Sequence, residues 1–168
     1  NFDGNVYLGE AAARGAAGAI AEREGPSGFP VILVADALSA LQRAAQSWRE
    51  RLTLPVVAVA GSNGKTTSKE MIAAILAVRG STLATAGNLN NHIGVPLTLC
   101  ALPPDADAMV IEMGMNHPGE IRLLQEIARP TIRLITNVGP AHVEGCGSIE
   151  GVAAAKQELF DEIGRAHV

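Results

Sequence analysis

The sequence predicts an α/β fold: part of a parallel-sheet central domain of the phosphate-loop type, preceded by part of a small α/β domain. Two observations support this prediction. Short apolar segments alternate with amphipathic ones along the chain, which is typical of parallel strands joined by helices. A glycine-containing loop also lies between one apolar segment and one amphipathic segment, at residues 61–65. Because Pro55 ends the preceding helical pattern, we assign residues 1–52 and 53–162 to two different domains.

The elements of the first part are short. The patterns predict strands at Val6–Leu8, Gly18–Ala21 and Val31–Val34, and helices over Glu10–Ala17 and Ala37–Arg51. Asp36 stands at the N-cap position of the second helix, where its carboxylate can accept a backbone N–H.

The second part is more regular. The patterns predict strands at Val56–Ala60, Ala108–Met113 and Thr131–Thr136, and helices over Thr66–Val78, Pro118–Ala128 and Ile149–Glu162. Met71, Ile72, Ile75 and Leu76 form the expected apolar stripe of the first of these helices, and Ser148 is the expected cap of the last.

Composition excludes some classes of function. The chain of 168 residues carries 13 Lys and Arg against 17 Asp and Glu, and only 3% of its residues are aromatic. A formal charge of −4 and few stacking groups disfavour nucleic-acid binding. The longest apolar runs are too short to cross a bilayer, and no signal peptide is evident. We expect a cytoplasmic, monomeric protein with no membrane or nucleic-acid partner.

The strongest motif is the loop Gly61, Ser62, Asn63, Gly64, Lys65, Thr66, Thr67, which follows a predicted buried strand and opens a helix. Such a loop directs backbone N–H groups at a phosphate, and the helix N-terminus adds favourable partial charge. Lys65 could reach the β- and γ-phosphates of ATP, and the Thr66 hydroxyl could ligate Mg²⁺. The spacing is shorter than that of the usual P-loop, since Val59 stands where its first glycine would be. The alternative is a glycine-rich turn with a chance lysine.

Two further residues lie at or after the carboxyl ends of predicted strands, where ligands bind in open α/β sheets. Glu112 lies near the C-terminal end of an apolar strand, so it is either a metal-ligating or water-orienting carboxylate or the solvent-facing residue of an edge strand. His142 follows the last strand, and a loop histidine of this kind is either a ligand or an ordinary surface residue. His92 and His117 are competing candidates.

Lys156 interrupts the apolar stripe of the last predicted helix. Its stem could lie along the apolar surface while the ammonium reaches solvent. If the amine is held inside instead, its pKa falls and it becomes nucleophilic. A neutral amine can capture CO₂ as a carbamate, which would convert a cation into an anion able to bind Mg²⁺.

Side-chain amides are concentrated between Gly87 and Pro96, which includes Asn88, Asn90 and Asn91. Amides both donate and accept hydrogen bonds, so they suit recognition of a polar substrate. They are equally common in turns.

The segments Gly61–Thr67, Ala86–Pro96, Ile111–Ile121 and Asn137–Glu158 together resemble the Mur ligases, ATP-dependent amide-bond synthetases of peptidoglycan assembly. The resemblance implies that Gly61–Thr67 is the ATP phosphate loop, with Lys65 on the phosphates and Thr66 on Mg²⁺. It also implies that Glu112 and His142 bind metal, that Lys156 is the carbamylated lysine, and that Asn88, Asn90 and Asn91 line the nucleotide-substrate side.

The reaction implied by the resemblance is ATP-dependent. The carboxylate of UDP-N-acetylmuramoyl-tripeptide would be activated as an acyl phosphate, and the amine of D-alanyl-D-alanine would attack it, releasing ADP and phosphate. Residues 1–52 would be the latter part of the UDP-binding domain, and 53–162 the first part of the ATP-binding domain. We therefore expect no ligase turnover from the chain as given.

Three alternatives stay open from the sequence. The parent could be a sister ligase that adds the third residue of the peptide, a folate polyglutamylase, or a non-catalytic nucleotide-binding module. Residues 163–168 match what a common sequencing-library adapter would encode, so we expect them to be a non-native tail. The alternative is an ordinary helix end with Gly164 as its C-cap.

Overall fold

A computed structural model describes residues 3–161 of the protein. Its contacts separate a first compact unit, which ends at Leu41, from a second, which begins at Gln42. This division falls inside a helix, whereas the expected domain boundary lies between residues 52 and 53. The domain boundary stays a prediction, as does the assignment of residues 163–168, which lie outside the described residues.

The first unit contains a 3₁₀ turn, helix α1 (Leu8–Ala13) and two parallel strands, β1 (Ala19–Ala21) and β2 (Val31–Leu33). Both strands were expected. The strand expected at Val6–Leu8 is wrong, because Gly4–Tyr7 forms the 3₁₀ turn instead. The first helix is also shorter than expected, since Gly15 takes a positive φ of 86° just after α1 ends.

Helix α2 (Ala37–Glu50) confirms the expected helix and its cap. The Asp36 Oδ1 atom accepts the backbone N–H of Ser39 at 2.6 Å. Within the second unit, Ala45 and Arg49 of this helix are buried.

The second unit is built on a sheet of four parallel strands in the order β4-β5-β3-β6. These strands are β3 (Val56–Ala60), β4 (Thr82–Ala84), β5 (Ala108–Glu112) and β6 (Ile132–Ile135). The parallel α/β prediction is therefore confirmed. Every residue of β3 and β5 is buried, which explains their continuous apolar sequences. Because the strands are parallel, the loops after β3, β5 and β6 leave the same edge of the sheet.

Helices connect these strands or follow the last of them, β6. They are α3 (Lys65–Ala77), α4 (Gly94–Cys100), α5 (Glu120–Ala128), α6 (Val143–Cys146) and α7 (Ile149–Gln157), the last followed by a 3₁₀ turn at Glu158–Phe160. Ser148 caps α7 as expected, since its hydroxyl accepts the Gly151 N–H at 3.1 Å. Pro118 precedes α5 rather than starting it, because Gly119, at φ 90°, is the N-cap.

The apolar stripe expected on α3 is half wrong. Ile72 and Leu76 pack on the sheet, but Met71 and Ile75 are 62% and 68% exposed. The buried face of the helix instead includes Lys69, which is 1% exposed. Strand β4 and helices α4 and α6 were not expected, since each is too short to give a clear periodic pattern.

Among residues 3–161, no helix has both the length and the apolarity needed to cross a membrane.

Candidate active site

The phosphate-loop motif lies between β3 and α3, as its sequence predicts. Gly61 has φ 145°, and a Cβ added there would collide with the Thr136 hydroxyl. Gly64 is left-handed, with φ 76°, at the N-cap of α3. Both positions therefore require glycine, one for close approach and one for its backbone conformation.

The loop after β6 holds the phosphate loop in place through backbone and side-chain bonds. The Asn137 Oδ1 atom accepts the Asn63 N–H at 3.0 Å, and the Asn137 Nδ2 donates to the Asn63 carbonyl at 3.0 Å. The Ser62 hydroxyl donates to the carbonyl of Gly139 at 3.1 Å and accepts its N–H at 2.9 Å. These contacts fix the loop before any ligand binds, which is the preorganisation that phosphate binding requires.

The Lys65 ammonium folds back over the loop. It donates to the carbonyl of Gly61 at 2.9 Å and to that of Ser62 at 3.4 Å. A cation held above the loop in this way is placed to meet a bound phosphate.

Glu112 connects the loop to the neighbouring strand. The Thr66 hydroxyl donates to its Oε2 at 2.8 Å, and Asn90 Nδ2 donates to its Oε1 at 2.8 Å. Glu112 is 3% exposed and lies on β5, an interior strand, so the edge-strand alternative is wrong. Within residues 3–161, no Lys, Arg or His pairs with this carboxylate. Among residues 3–161 this buried carboxylate meets only neutral donors, which favours an additional cation at this point.

Two cavities meet at Lys65 and Asn90. The first, of about 510 Å³, is the phosphate-loop cleft, lined by residues 62–67, Gly87, Asn88, Asn90 and Glu112. The second, of about 260 Å³, is lined by Lys65, Asn90, Asn91, His92, Gly114, Met115, Asn116, Glu120, Leu124 and His142. The arrangement can therefore hold a phosphate chain on one side of the Lys65 ammonium and a second substrate on the other.

His142 follows β6 in a left-handed conformation, with φ 67°, at the N-cap of α6. Burial lowers its pKa, and the positive charges of Lys156 and Lys65 lower it further, against an opposing effect of Glu120. The imidazole is therefore neutral at pH 7, which is the form that ligates a metal. His92 lines the same cavity, so position alone does not separate these two histidines.

Lys156 is 1% exposed, so the alternative in which its ammonium reaches solvent is wrong. Burial and the charge of Lys65 lower its pKa, while Cys146 opposes this effect. No hydrogen bond or ion pair to this ammonium is found in the described part of the chain. The like charges of Lys65 and Lys156 thus repel each other here, which favours binding of an anion beside them.

The three asparagines occupy different positions. Asn88 lines the phosphate-loop cleft, and Asn90 lies between the two cavities. Asn91 lines the second cavity and also has a structural role, since its Oδ1 accepts the N–H groups of Ile93 and Gly94 at the start of α4. The turn interpretation therefore holds for Asn91 alongside any role in binding.

Several residues that support the site were missed by sequence reasoning, among them Lys69, Thr85 and Asn137. Thr85 is 1% exposed, and its hydroxyl accepts the Glu112 N–H at 2.9 Å. The sequence held one signal for a role of Lys69 in the site. Lys69 stands three residues after Thr66 and hence on the same face of the helix.

A metal site made of His, Cys, Asp and Glu alone is not formed, because residues 3–161 bring no three such side chains together. The proposed ligand set of Thr66, Glu112, His142 and Lys156 is of a different kind. Its best-defined part is the pair of oxygen donors from Thr66 and Glu112, which suits Mg²⁺.

Comparison with known proteins agrees with this geometry. The family model described as the Mur ligase middle domain matches residues 59–168. The chain is 44% identical over 163 residues to the UDP-N-acetylmuramoyl-tripeptide–D-alanyl-D-alanine ligase of Bacillus subtilis, and 46% identical over 159 residues to that of Escherichia coli. Each match covers 95% of this chain but only 36% and 35% of the respective relative, so the chain spans about a third of their length.

Solved structures are similar as well. A crystal structure of MurF from Acinetobacter baumannii superposes with a TM-score of 0.88 at 39% identity, over 95% of this chain and 35% of that one. MurF from Thermotoga maritima in complex with ADP gives a TM-score of 0.84 at 34% identity, over 95% and 37%. The resemblance seen in the sequence is confirmed: the chain belongs to the Mur ligase family.

Proposed function

We propose that this chain supplies the phosphate loop of a ligase. That ligase joins D-alanyl-D-alanine to UDP-N-acetylmuramoyl-tripeptide and hydrolyses ATP to ADP and phosphate in doing so. The γ-phosphate passes to the tripeptide carboxylate, giving an acyl phosphate and ADP. The D-alanyl-D-alanine amine then attacks the acyl carbon and phosphate leaves. The names of the relatives from B. subtilis and E. coli support this choice of substrates.

The observation that carries the proposal is the hydrogen bond between Thr66 and Glu112. It links the phosphate loop to the buried end of β5 inside the phosphate-loop cleft. Glu112 also accepts the side-chain amide of Asn90, which lines both cavities. A purely structural loop would not require a buried carboxylate without a cationic partner, because such a group costs stability. The arrangement therefore supports phosphoryl transfer between ligands in the two cavities.

We propose that Mg²⁺ is held by Thr66, Glu112 and His142, together with Lys156 as its carbamate. When bound, the metal offsets the negative charge of the transferred phosphoryl group. Lys65 contributes positive charge from the loop side, and Asn90 orients the Glu112 carboxylate. We assign Asn88, Asn90 and Asn91 to the nucleotide-substrate side of the site.

Carbamate formation at Lys156 is supported by its burial and its lowered pKa. The neutral amine would bond to the carbon of CO₂ and release one proton to solvent, leaving an anion. That anion would remove the repulsion between Lys65 and Lys156. A ¹³C NMR resonance of a carbamate in protein equilibrated with labelled bicarbonate, lost in Lys156→Met, is the expected result. A spectrum that is identical for both proteins would contradict the assignment.

The proposed function is tested on a full-length ligase of the family that contains this chain as the third of its sequence that the chain matches. We call this enzyme the full-length ligase below. ADP release should require UDP-N-acetylmuramoyl-tripeptide and D-alanyl-D-alanine together. Lys65→Met should lower kcat by a factor on the order of 100 or more. Arg79→Met, which removes an exposed cation just after α3, should change it less than about twofold.

Other substrates distinguish the alternatives. A sister ligase would release ADP with the UDP-linked dipeptide and the amino acid that becomes the third residue, and a folate polyglutamylase with folate and glutamate. A non-catalytic module would bind ATP without any release of ADP. A cytoplasmic location and a monomeric state remain predictions that accompany the proposal.

A further inference from the structure

Lys69 is a buried cation with no assigned role. It lies on α3 and is 1% exposed. Its ammonium donates to the backbone carbonyl of Thr85 at 2.5 Å and pairs with Glu70 at 2.8 Å. The Glu70 side chain is 64% exposed, so solvent weakens that ion pair. An apolar residue would bury more cheaply on this face of α3, so the bond to Thr85 needs another explanation.

Thr85 is the residue at which the chain leaves the sheet. Its N–H donates to the Val110 carbonyl at 3.0 Å, continuing the pairing of β4 with β5. Its hydroxyl accepts the Glu112 N–H at 2.9 Å. All three of its polar groups are thus bonded, two to β5 and one to Lys69, which fixes the direction in which the following segment departs.

The segment after Thr85 reaches the active site at Asn90. The Asn90 side-chain amide donates to Glu112 at 2.8 Å, and the Asn90 carbonyl accepts the Gly114 N–H at 2.8 Å. The other oxygen of Glu112 accepts the Thr66 hydroxyl. A continuous path of bonds therefore runs from Lys69 through Thr85 to Glu112, and returns to α3 at Thr66, three residues before Lys69.

We propose that Lys69 is a positioning residue for the metal- and phosphate-binding end of the site. By holding the Thr85 carbonyl it fixes the start of the segment that carries Asn90, and so sets the orientation of the Glu112 carboxylate relative to Thr66. Lys69 acts through Thr85 and touches neither nucleotide nor metal. This inference deepens the proposed function and rests on the metal site proposed there.

The test uses Lys69→Met in the full-length ligase, since methionine fills similar space without charge or donor. Binding of Mn²⁺ in the presence of ADP, followed by electron paramagnetic resonance, is the primary readout and does not require turnover. Loss of a residue that orients a metal ligand typically costs about 10–100-fold in metal affinity, so we expect Mn²⁺ to bind at least about tenfold more weakly. The Mg²⁺ concentration for half-maximal activity should rise by a similar factor, with KM for D-alanyl-D-alanine unchanged.

The matched control is Glu70→Gln, which removes only the exposed partner of Lys69 and should leave Mn²⁺ affinity within about twofold. If Lys69→Met does not fold, Thr85→Val tests the same path by removing the hydroxyl that accepts the Glu112 N–H, and should weaken Mn²⁺ binding likewise. Variants that fold and bind Mn²⁺ within twofold of the unmodified enzyme would overturn the inference. Failure of the proposed function would give a different result, because the unmodified enzyme itself would then show no ligation of D-alanyl-D-alanine.

Discussion

Arg49 joins the end of α2 to the end of α5, and its replacement gives the sharpest test of how the second unit is held together. The side chain is 7% exposed. Its guanidinium donates to the carbonyl of Ala128 at 2.8 Å, to that of Arg129 at 3.0 Å and to that of Leu52 at 2.8 Å. The first two carbonyls lie at the C-terminal end of α5, where a cation also interacts favourably with the helix dipole.

The expected cost of Arg49→Met follows from these contacts. Hydrogen bonds to a charged group contribute about 1.5–3 kcal/mol each. Removing the guanidinium also removes the cost of burying it, which lowers the net loss in the free energy of unfolding. Because burial and the nearby Arg129 charge lower the Arg49 pKa, that cost is appreciable. We therefore expect a net loss of about 3 kcal/mol, within the range for a broken buried network.

The assay is urea denaturation and thermal unfolding of the 168-residue chain. For a chain of this size 1 kcal/mol corresponds to about 2–4 °C, so Arg49→Met should lower the Tm by about 6–12 °C. The control is Arg43→Met on the exposed face of the same helix, expected within about 0.5 kcal/mol of the unmodified chain. Equal stabilities of the two variants would refute the role given to Arg49.

Two further predictions concern groups near the site. Lys156→Met should stabilise the chain by roughly 1–2 kcal/mol in bicarbonate-free buffer, because it removes a buried charge that has no partner within residues 3–161. Since the Lys156 pKa is lowered in the folded state, this gain is largest at neutral pH and shrinks as pH rises toward 10.5, the ordinary value. Thermal unfolding of both proteins from pH 7 to 10 checks the sign, and a gain that grows with pH would contradict it. Glu158→Gln should cost about 1 kcal/mol, because the Glu158 carboxylate accepts the N–H groups of Gly119 and Arg122 at the start of α5. Urea denaturation beside Glu126→Gln, an exposed control on α5, measures it, and equal midpoints would rule out this capping role.

The parts of the site that lie on one continuous segment could be predicted from the sequence. The phosphate loop has its glycines, Lys65 and Thr66 within seven residues, and the strand before it and helix after it have local signatures. The caps at Asp36 and Ser148 were found for the same reason, since a cap bonds to a backbone N–H only a few residues away.

The identity of the buried faces was only partly predictable. Sequence periodicity gave α3 an apolar stripe that includes Met71 and Ile75, yet both are exposed and Lys69 is buried. Periodicity records where apolar residues recur along a helix, whereas the contacts with β4 and β5 decide which of them face inward.

The sequence by itself determined the phosphate loop, the alternation of strands and helices and the parallel sheet, because each depends on the spacing of residues close together in the chain. Only the tertiary structure decided that Thr66 meets Glu112, 46 positions away, that Asn137 holds Asn63, and that the Lys156 ammonium is buried beside two other basic groups. Those facts depend on strand order and on packing between distant segments. A side chain's exposure and charge environment are set by neighbours that local spacing does not specify.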